Sequence, residues 1–310
     1  MRVHIDDVLE IEEWGDSSAP IGFLAEVPHG ATAAAEYHAL AAQLESDLPP
    51  GLIDFFFVNT DVGAPELGRA VASALVSRGV VGRARLVRCR LPRTFIDTNR
   101  VPALATGDLA GGGMTAAVPP YVTAPADLAR LDALHRDYVA RVDAEVGAAL
   151  AGGGYVFTPH TYAPRTVGIA RVDADIVPAL HAAWAPGTAE TWPLRPAVDL
   201  ITTPPGGVSL APAGLAARVI AGFARLGVDA VENGTYALHP ATQGHRLSAG
   251  APGRVLGAEL RRDLLVERWD PFTEMRVDPE AAARLAAPFV DGFAAILGRP
   301  LDARPDGAES

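Results

Sequence analysis

Short unbroken apolar runs alternate with stretches of helical spacing over most of this chain. Residues 21–27, 83–90, 155–158, 228–232 and 254–260 each read as a strand buried on both faces, because a strand covered by helices on each side keeps no polar face. Residues 52–61 (LIDFFFVNTD) read as a further buried strand ending in an acid. Helices are expected at 31–48, with Thr32 placed to cap it, and at 65–78, closed by Gly79. Others fall at 127–150, the longest, stopped by Gly152–Gly154, at 211–226 and at 279–297. Residues 1–19 are acidic and weakly patterned, an edge strand or arm, and 91–100 form a short extended piece. Residues 107–123 make a Gly/Pro/Ala-rich loop, too long for a plain connector and expected to cover a site. Residues 173–208 read as an irregular insertion over the sheet, 233–253 as a Gly-rich loop, and 299–310 as a disordered tail. The alternation predicts a three-layer α/β/α sandwich with a mostly parallel mixed sheet, one domain over residues 1–298.

Composition narrows the function classes. The chain has 310 residues and a formal charge of -11, which argues against binding nucleic acid, where clustered cations must neutralise phosphates. Lysine is absent, so the side-chain cations are arginines, whose planar fork suits carboxylates. A single cysteine, Cys89, excludes an internal disulfide and a multi-cysteine metal site, and its apolar-basic run places it in or near the core. The first residues are too acidic for a signal peptide, and no run reaches the roughly 18 apolar residues of a membrane helix. A soluble cytoplasmic protein acting on a small molecule is the expectation.

Chemistry concentrates at predicted strand exits. IGFLAEVPHGA (21–31) and GGGYVFTPHTYAPR (152–165) each end an apolar run in Pro-His, delivering His29 and His160 to loops where ligands sit in open α/β sheets. Asp61, Asn99 with Arg100, and Glu259 lie at other exits. Two imidazoles and one carboxylate make a three-ligand set for zinc that leaves a position for water. A separate carboxylate can take a proton from that water, and an arginine can hold a substrate carboxylate. Structural roles compete: Asp61 can cap the helix beginning near Pro65, Glu259 can pair with Arg261 or Arg262, and Arg100 can neutralise Asp97.

Five pieces in matching order give the chain a resemblance to the N-formylglutamate amidohydrolase family, itself related in fold to the zinc carboxypeptidases. VPHGA (27–31) is similar to the family's Pro-His motif, and NTD (59–61) to its Asp-Thr-Asp element. RTFIDTNR (93–100) resembles its Arg-Tyr-Val-Asp-Asn-Arg segment, and YVFTPHTYAPR its Asp-Cys-His-Ser segment. VENG (231–234) followed by LGAELRR (256–262) resembles its Asn-Gly loop and closing glutamate strand. The resemblance implies one zinc ion held by His29, Asp61 and His160, with Glu259 as general base. It implies Asn99 and Arg100 as carboxylate binders, with Arg93 a second arginine, and it brings Asn233, His245 and Arg246 forward as further substrate-binding candidates. The implied activity is cleavage of an N-acyl amide of an amino acid or related small carboxylate. A carboxypeptidase-like metallopeptidase and a non-catalytic binder of an acidic metabolite are the rival readings. The chain departs from the family pattern at Thr158 for Asp, Thr161 for Ser, Asp143 for a histidine of the long helix, and throughout TYALHPATQGHR (235–246). Glu36 and His38 compete with Asp61 for the ligand role, and the helix expected there makes them a solvated face.

Overall fold

The computed structural model describes residues 1–105, 107, 114–169 and 171–298. Among them eight strands form one mixed sheet: β1 (Arg2–Ile5), β2 (Leu9–Gly15), β3 (Phe23–Val27), β4 (Arg83–Cys89), β5 (Tyr155–Tyr162), β6 (Val198–Ile201), β7 (Ala230–Glu232) and β8 (Val255–Arg261). Their order is β1-β2-β4-β3-β5-β8-β6-β7. The central strands β4, β3, β5 and β8 run parallel. β2 joins β4 and β6 joins β8 in antiparallel fashion, which closes each flank.

The helices α1 (Ala34–Ala41), α2 (Leu52–Asn59), α3 (Ala64–Ser77), α4 (Pro125–Ala151), α5 (Ile176–Ala183), α6 (Leu215–Arg225), α7 (Gln243–Gly250) and α8 (Pro279–Ile296) cover the sheet. Strand alternation decides which side each one meets. Phe23, Ala25, Phe157 and Leu256 face α3, α6 and α8, which contribute Leu67, Val71, Val219, Phe289 and Phe293. Phe157 packs with ring centroids 4.8 Å from Phe289 and 5.9 Å from Phe293. Each such ring removed from water is worth about 1.5–3 kcal/mol. Leu24, Val156 and Val255 point the other way, into a second core with Tyr37, Phe56, Tyr138 and Ile176 of α1, α2, α4 and α5. The predicted three layers and mixed, mostly parallel centre are therefore present.

Several local expectations change. The run at 52–61, read as a strand, is the helix α2, and Asp61 follows a helix instead of a strand. Gly51, at φ 71°, turns the chain into it, and Leu52, Phe55 and Phe56 recur at helical spacing while Phe57 is buried as well, so burial on several sides masks the period. β5 does not stop at Pro159 but continues through His160 to Tyr162. Val156 donates to Arg254 O of the β8 side and Tyr155 to Gly22 O of the β3 side, so the N–H that Pro159 lacks falls on the β3 side. There the ladder has already ended at Ala25 opposite Phe157, and the proline breaks no bond. The helix expected over 31–48 shortens to α1, with Glu36 Oε2 accepting from the Thr32 and Ala33 N–H groups, so Thr32 is not its cap. The segment 91–100, expected to be extended, is a set of turns, with Phe95 and Ile96 N–H both bonded to Pro92 O. The acidic N-terminal residues supply β1 and β2, residues 173–208 hold α5 and β6, and the loop expected at 233–253 contains α7. The tail expected at 299–310 and part of the loop at 107–123 lie outside the described residues. No helix among the described residues is long and apolar enough to cross a membrane.

Candidate metal centre and active site

His29 leaves β3 two residues past Val27, and His160 sits on the adjacent β5. Asp61 comes to them from the turn after α2. Its N–H donates to His29 O at 3.3 Å, and Thr60 Oγ1 donates to Ala31 O at 2.5 Å. Arg262, buried directly after β8, ties the same turn to β5 by donating to Phe57 O, Val58 O and Thr161 O. Burial pushes the pKa of that guanidinium down to about 10.

The result is a buried cluster of His29, Asp61 and His160, with ligand atoms within 4.8 Å of one another. Asp61 Oδ2 lies 3.2 Å from His29 Nδ1 and 2.9 Å from His160 Nδ1. The other nitrogen of His29, Nε2, is 2.8 Å from Asp97 Oδ1, where an ionised carboxylate can only accept. With a metal on Nδ1, that bond would keep the proton on Nε2 and leave Nδ1 as the ligand atom. These three atoms converge on one point, an arrangement that could hold a metal ion in a mixed imidazole–carboxylate site. Burial works to raise the Asp61 carboxyl, but the two imidazoles outweigh it and hold the group well below the usual carboxylate range. Burial likewise works to lower His160, and Asp61 with Glu259 more than reverses it, so its pKa is raised.

Glu259 stands beside His160 in the parallel ladder of β5 and β8. Its Oε2 is buried and accepts no hydrogen bond from any described residue. The competing partners are otherwise engaged: Arg261 pairs with Asp263 at 3.1 Å, and Arg262 donates to Thr161 and to backbone carbonyls. Burial, reinforced by Asp61, raises the Glu259 carboxyl despite His160, Arg195 and Arg93 nearby. A desolvated acid with an open lone pair beside the His29–Asp61–His160 cluster is placed to take and return a proton.

A cleft of about 250 Å³ joins His29, His160 and Glu259 to Arg93, Asn99, Arg100, Tyr162, Arg195, Tyr236, His239 and Arg262. Arg93 and Arg100 both grip Asp97 Oδ2, at 2.9 and 3.1 Å, and Arg100 also donates to Thr115. Asn99 accepts from Gly244 N–H at 3.2 Å through Oδ1, leaving its NH₂ for a ligand. Three expected substrate contacts are not brought to this cleft. Asn233, left-handed at φ 54°, spends its amide on the Thr202 and Thr203 N–H groups and anchors the following loop. His245 and Arg246 ride on α7, whose N-cap Thr242 accepts from His245 N–H, while Arg246 pairs with Asp143 of α4 at 2.6 Å. Glu36, read as part of a solvated face, instead pairs with Arg88 and Arg90, and His38 is exposed. His135 contacts Arg100 O, and His181 pairs with Asp54.

A sequence model of the N-formylglutamate amidohydrolases matches residues 21–266. The chain belongs to the N-formylglutamate amidohydrolase family. No curated protein matches it significantly. An N-formylglutamate amidohydrolase from Ralstonia eutropha JMP134 superposes over 93% of this chain and 96% of that one, at 16% identity and a TM-score of 0.57. A gene product from Agrobacterium tumefaciens does so over 94% of each chain, at 19% identity and a TM-score of 0.54. A metallo-carboxypeptidase from Burkholderia cenocepacia aligns with 93% of this chain and 60% of that one, at 16% identity and a TM-score of 0.37. At these identities the first two structures speak for the fold alone, and family membership carries the class, a hydrolase acting on amide bonds. The sequence reading paired Asp97 with Arg100 but gave it no place beside His29, and it gave none to Tyr162, although both lie inside matching motifs; Arg195 and Tyr236 carried no such signal.

Proposed function

We propose that this chain is a zinc-dependent amidohydrolase that cleaves an N-acyl amide of an amino acid or related small carboxylate. One observation carries the reading: His29 Nδ1, Asp61 Oδ2 and His160 Nδ1 converge beside a Glu259 carboxyl oxygen that has no partner among the described residues. Zinc held by His29, Asp61 and His160 would supply a Lewis acid for the amide carbonyl and would lower the pKa of a water there toward about 7. Glu259, beside His160, accepts a proton from the water as its oxygen bonds to the acyl carbon, and returns that proton to the amine nitrogen as the C–N bond breaks. Asp97 holds His29 in the tautomer that presents Nδ1. The arginines of the cleft provide the positive field for a substrate carboxylate and for oxyanion charge. The cleft volume of about 250 Å³ suits a small N-acyl amino acid.

The test is elemental analysis of protein purified without added metal, beside a screen of N-acyl amino acids with and without chelator. About one zinc per chain, lost from a His29→Ala/His160→Ala double variant together with turnover, is the expected result. A folded wild type that neither takes up zinc nor hydrolyses any N-acyl amino acid overturns the proposal.

A further inference from the structure

Four arginines line the cleft, and their commitments differ. Arg93 and Arg100 share Asp97, and Arg262 is buried against backbone carbonyls and Thr161. Arg195 differs: among the described residues no carboxylate pairs with it. Its Nε donates to Thr166 Oγ1 at 3.1 Å and its Nη1 to Ala163 O at 3.4 Å, with no described partner for Nη2. The guanidinium lies over the Tyr162 ring at 4.9 Å and near the Tyr236 ring at 5.6 Å, and both tyrosines line the same cleft.

The cradle is built, not incidental. Arg195 N–H donates to Pro164 O at 2.9 Å and Thr166 N–H to Pro193 O at 3.0 Å, which clips the segment before β6 to the segment after β5. Tyr162 is pinned by its hydroxyl to Pro196 O at 2.7 Å. Tyr236 follows a turn whose Gly234 and Thr235 N–H groups both donate to the buried Asp199 carboxylate. A cation held flat against aromatic rings loses little side-chain entropy on binding and keeps the free edge of its fork for a planar anion.

We propose that Arg195, oriented by Tyr162 and Tyr236, is the specificity-determining residue that binds the substrate carboxylate, while Arg93 and Arg100 position Asp97. The inference rests on the amidohydrolase reading for the reaction, but its binding claim stands separately. The experiment compares wild type, Arg195→Gln and Arg195→Lys, with unfolding midpoint and zinc content measured for each. Two substrates are used, an N-acetyl amino acid and the matching amino-acid carboxamide, and calorimetry with glutarate gives a readout without turnover. Arg195→Gln should lower kcat/KM on the carboxylate about 10- to 100-fold, mainly through KM, with zinc content unchanged. The carboxamide should change less than about 3-fold, and Arg195→Lys should recover only part of the loss because it keeps charge without the fork. Glutarate affinity should fall in step. Equal losses on carboxylate and carboxamide, or no loss with a folded Arg195→Gln, overturn the proposal. If wild type hydrolyses nothing, the amidohydrolase reading fails, and the glutarate result alone decides: weaker binding in Arg195→Gln supports the carboxylate site, and unchanged binding refutes it.

Discussion

Replacing Asp97 tests whether one carboxylate supports both the fold of the site and its metal affinity. Its Oδ1 accepts from His29 Nε2 at 2.8 Å, and its Oδ2 meets Arg93 Nε at 2.9 Å and Arg100 Nη2 at 3.1 Å. Arg100 is only 3% exposed, so removing its counter-charge strands a guanidinium in the interior. Breaking a buried pair in this way is worth about 3–5 kcal/mol, and Asp97→Ala should lose that much. Asp97→Asn keeps an acceptor but not the charge, and should lose about 1–3 kcal/mol. The His29 contact predicts a second effect in Asp97→Asn, because the histidine loses its charged orienting partner: zinc affinity should fall about 10- to 100-fold. Urea unfolding with chelator present isolates the first effect, since no metal then contributes to stability. Competition against a colorimetric zinc chelator measures the second. An Asp97→Asn protein with the wild-type midpoint and wild-type zinc affinity would falsify the claim that Asp97 supports either function. A stability loss with unchanged affinity would keep the structural role and remove the orienting one.

Two other perturbations separate chemistry from packing. Glu259→Gln removes the proton acceptor while preserving shape, so turnover should fall about 10²- to 10⁴-fold with zinc content unchanged, and a smaller fall in kcat would show that another group takes the proton. Glu26, buried on β3, is bonded to Tyr138 Oη at 2.5 Å, and burial raises its pKa above the ordinary value of 4.5. The folded protein then binds a proton that the unfolded chain releases, so this group's contribution declines as pH rises from about 4.5 toward the raised folded value. Glu26→Gln should therefore gain stability relative to wild type between pH 4 and pH 8, and chemical unfolding at the two pH values that shows no such relative gain would refute the assignment.

How much of this could be read from the sequence depended on where burial left a pattern. The strands β3, β4, β5 and β8 showed as continuous apolar runs because each is covered on both faces. Gly152–Gly154 marked the end of α4, where Gly154 N–H closes onto Ala149 O and an added Cβ would meet Ile21 O at 2.4 Å. The same signal misled at α2, a helix surrounded by α1, α5 and the sheet, whose aromatic run carries no polar face to reveal its period. Asp61 nevertheless reaches the cluster, because what the site requires is a turn opposite His29, whichever element precedes it. Proximity in sequence to a matching motif was the weakest guide. Asn233, His245 and Arg246 flank such motifs, yet none of them lines the cleft: the Asn233 amide and the Arg246 guanidinium are taken up in structural bonds, and the His245 N–H caps α7. Arg195 lies in no motif, and only the pairing of two loops brings it to the cleft.

The placement of the polar groups follows from strand alternation combined with register. His160 lies opposite Glu259, and Glu259 opposite Asp199, so three successive strands, β5, β8 and β6, present imidazole, acid and acid on one face near the same end of the sheet. Val156 and Leu24, further down β5 and β3 on that face, are core residues under the helices. Apart from Glu26, which accepts from Tyr138 of α4, polarity on this part of the face begins where the helical cover gives way to the cleft. A one-residue slip of β8 against β5 would turn Glu259 into the opposite core, among Phe157, Leu256 and Leu260, where no proton acceptor could serve the cluster. The register is held by those same apolar neighbours, buried on the α3–α6–α8 side. The chemistry on one face is thus positioned by hydrophobic packing on the other, and substitutions in the core under α3, α6 and α8 should disturb the Glu259–His160 geometry without touching either residue.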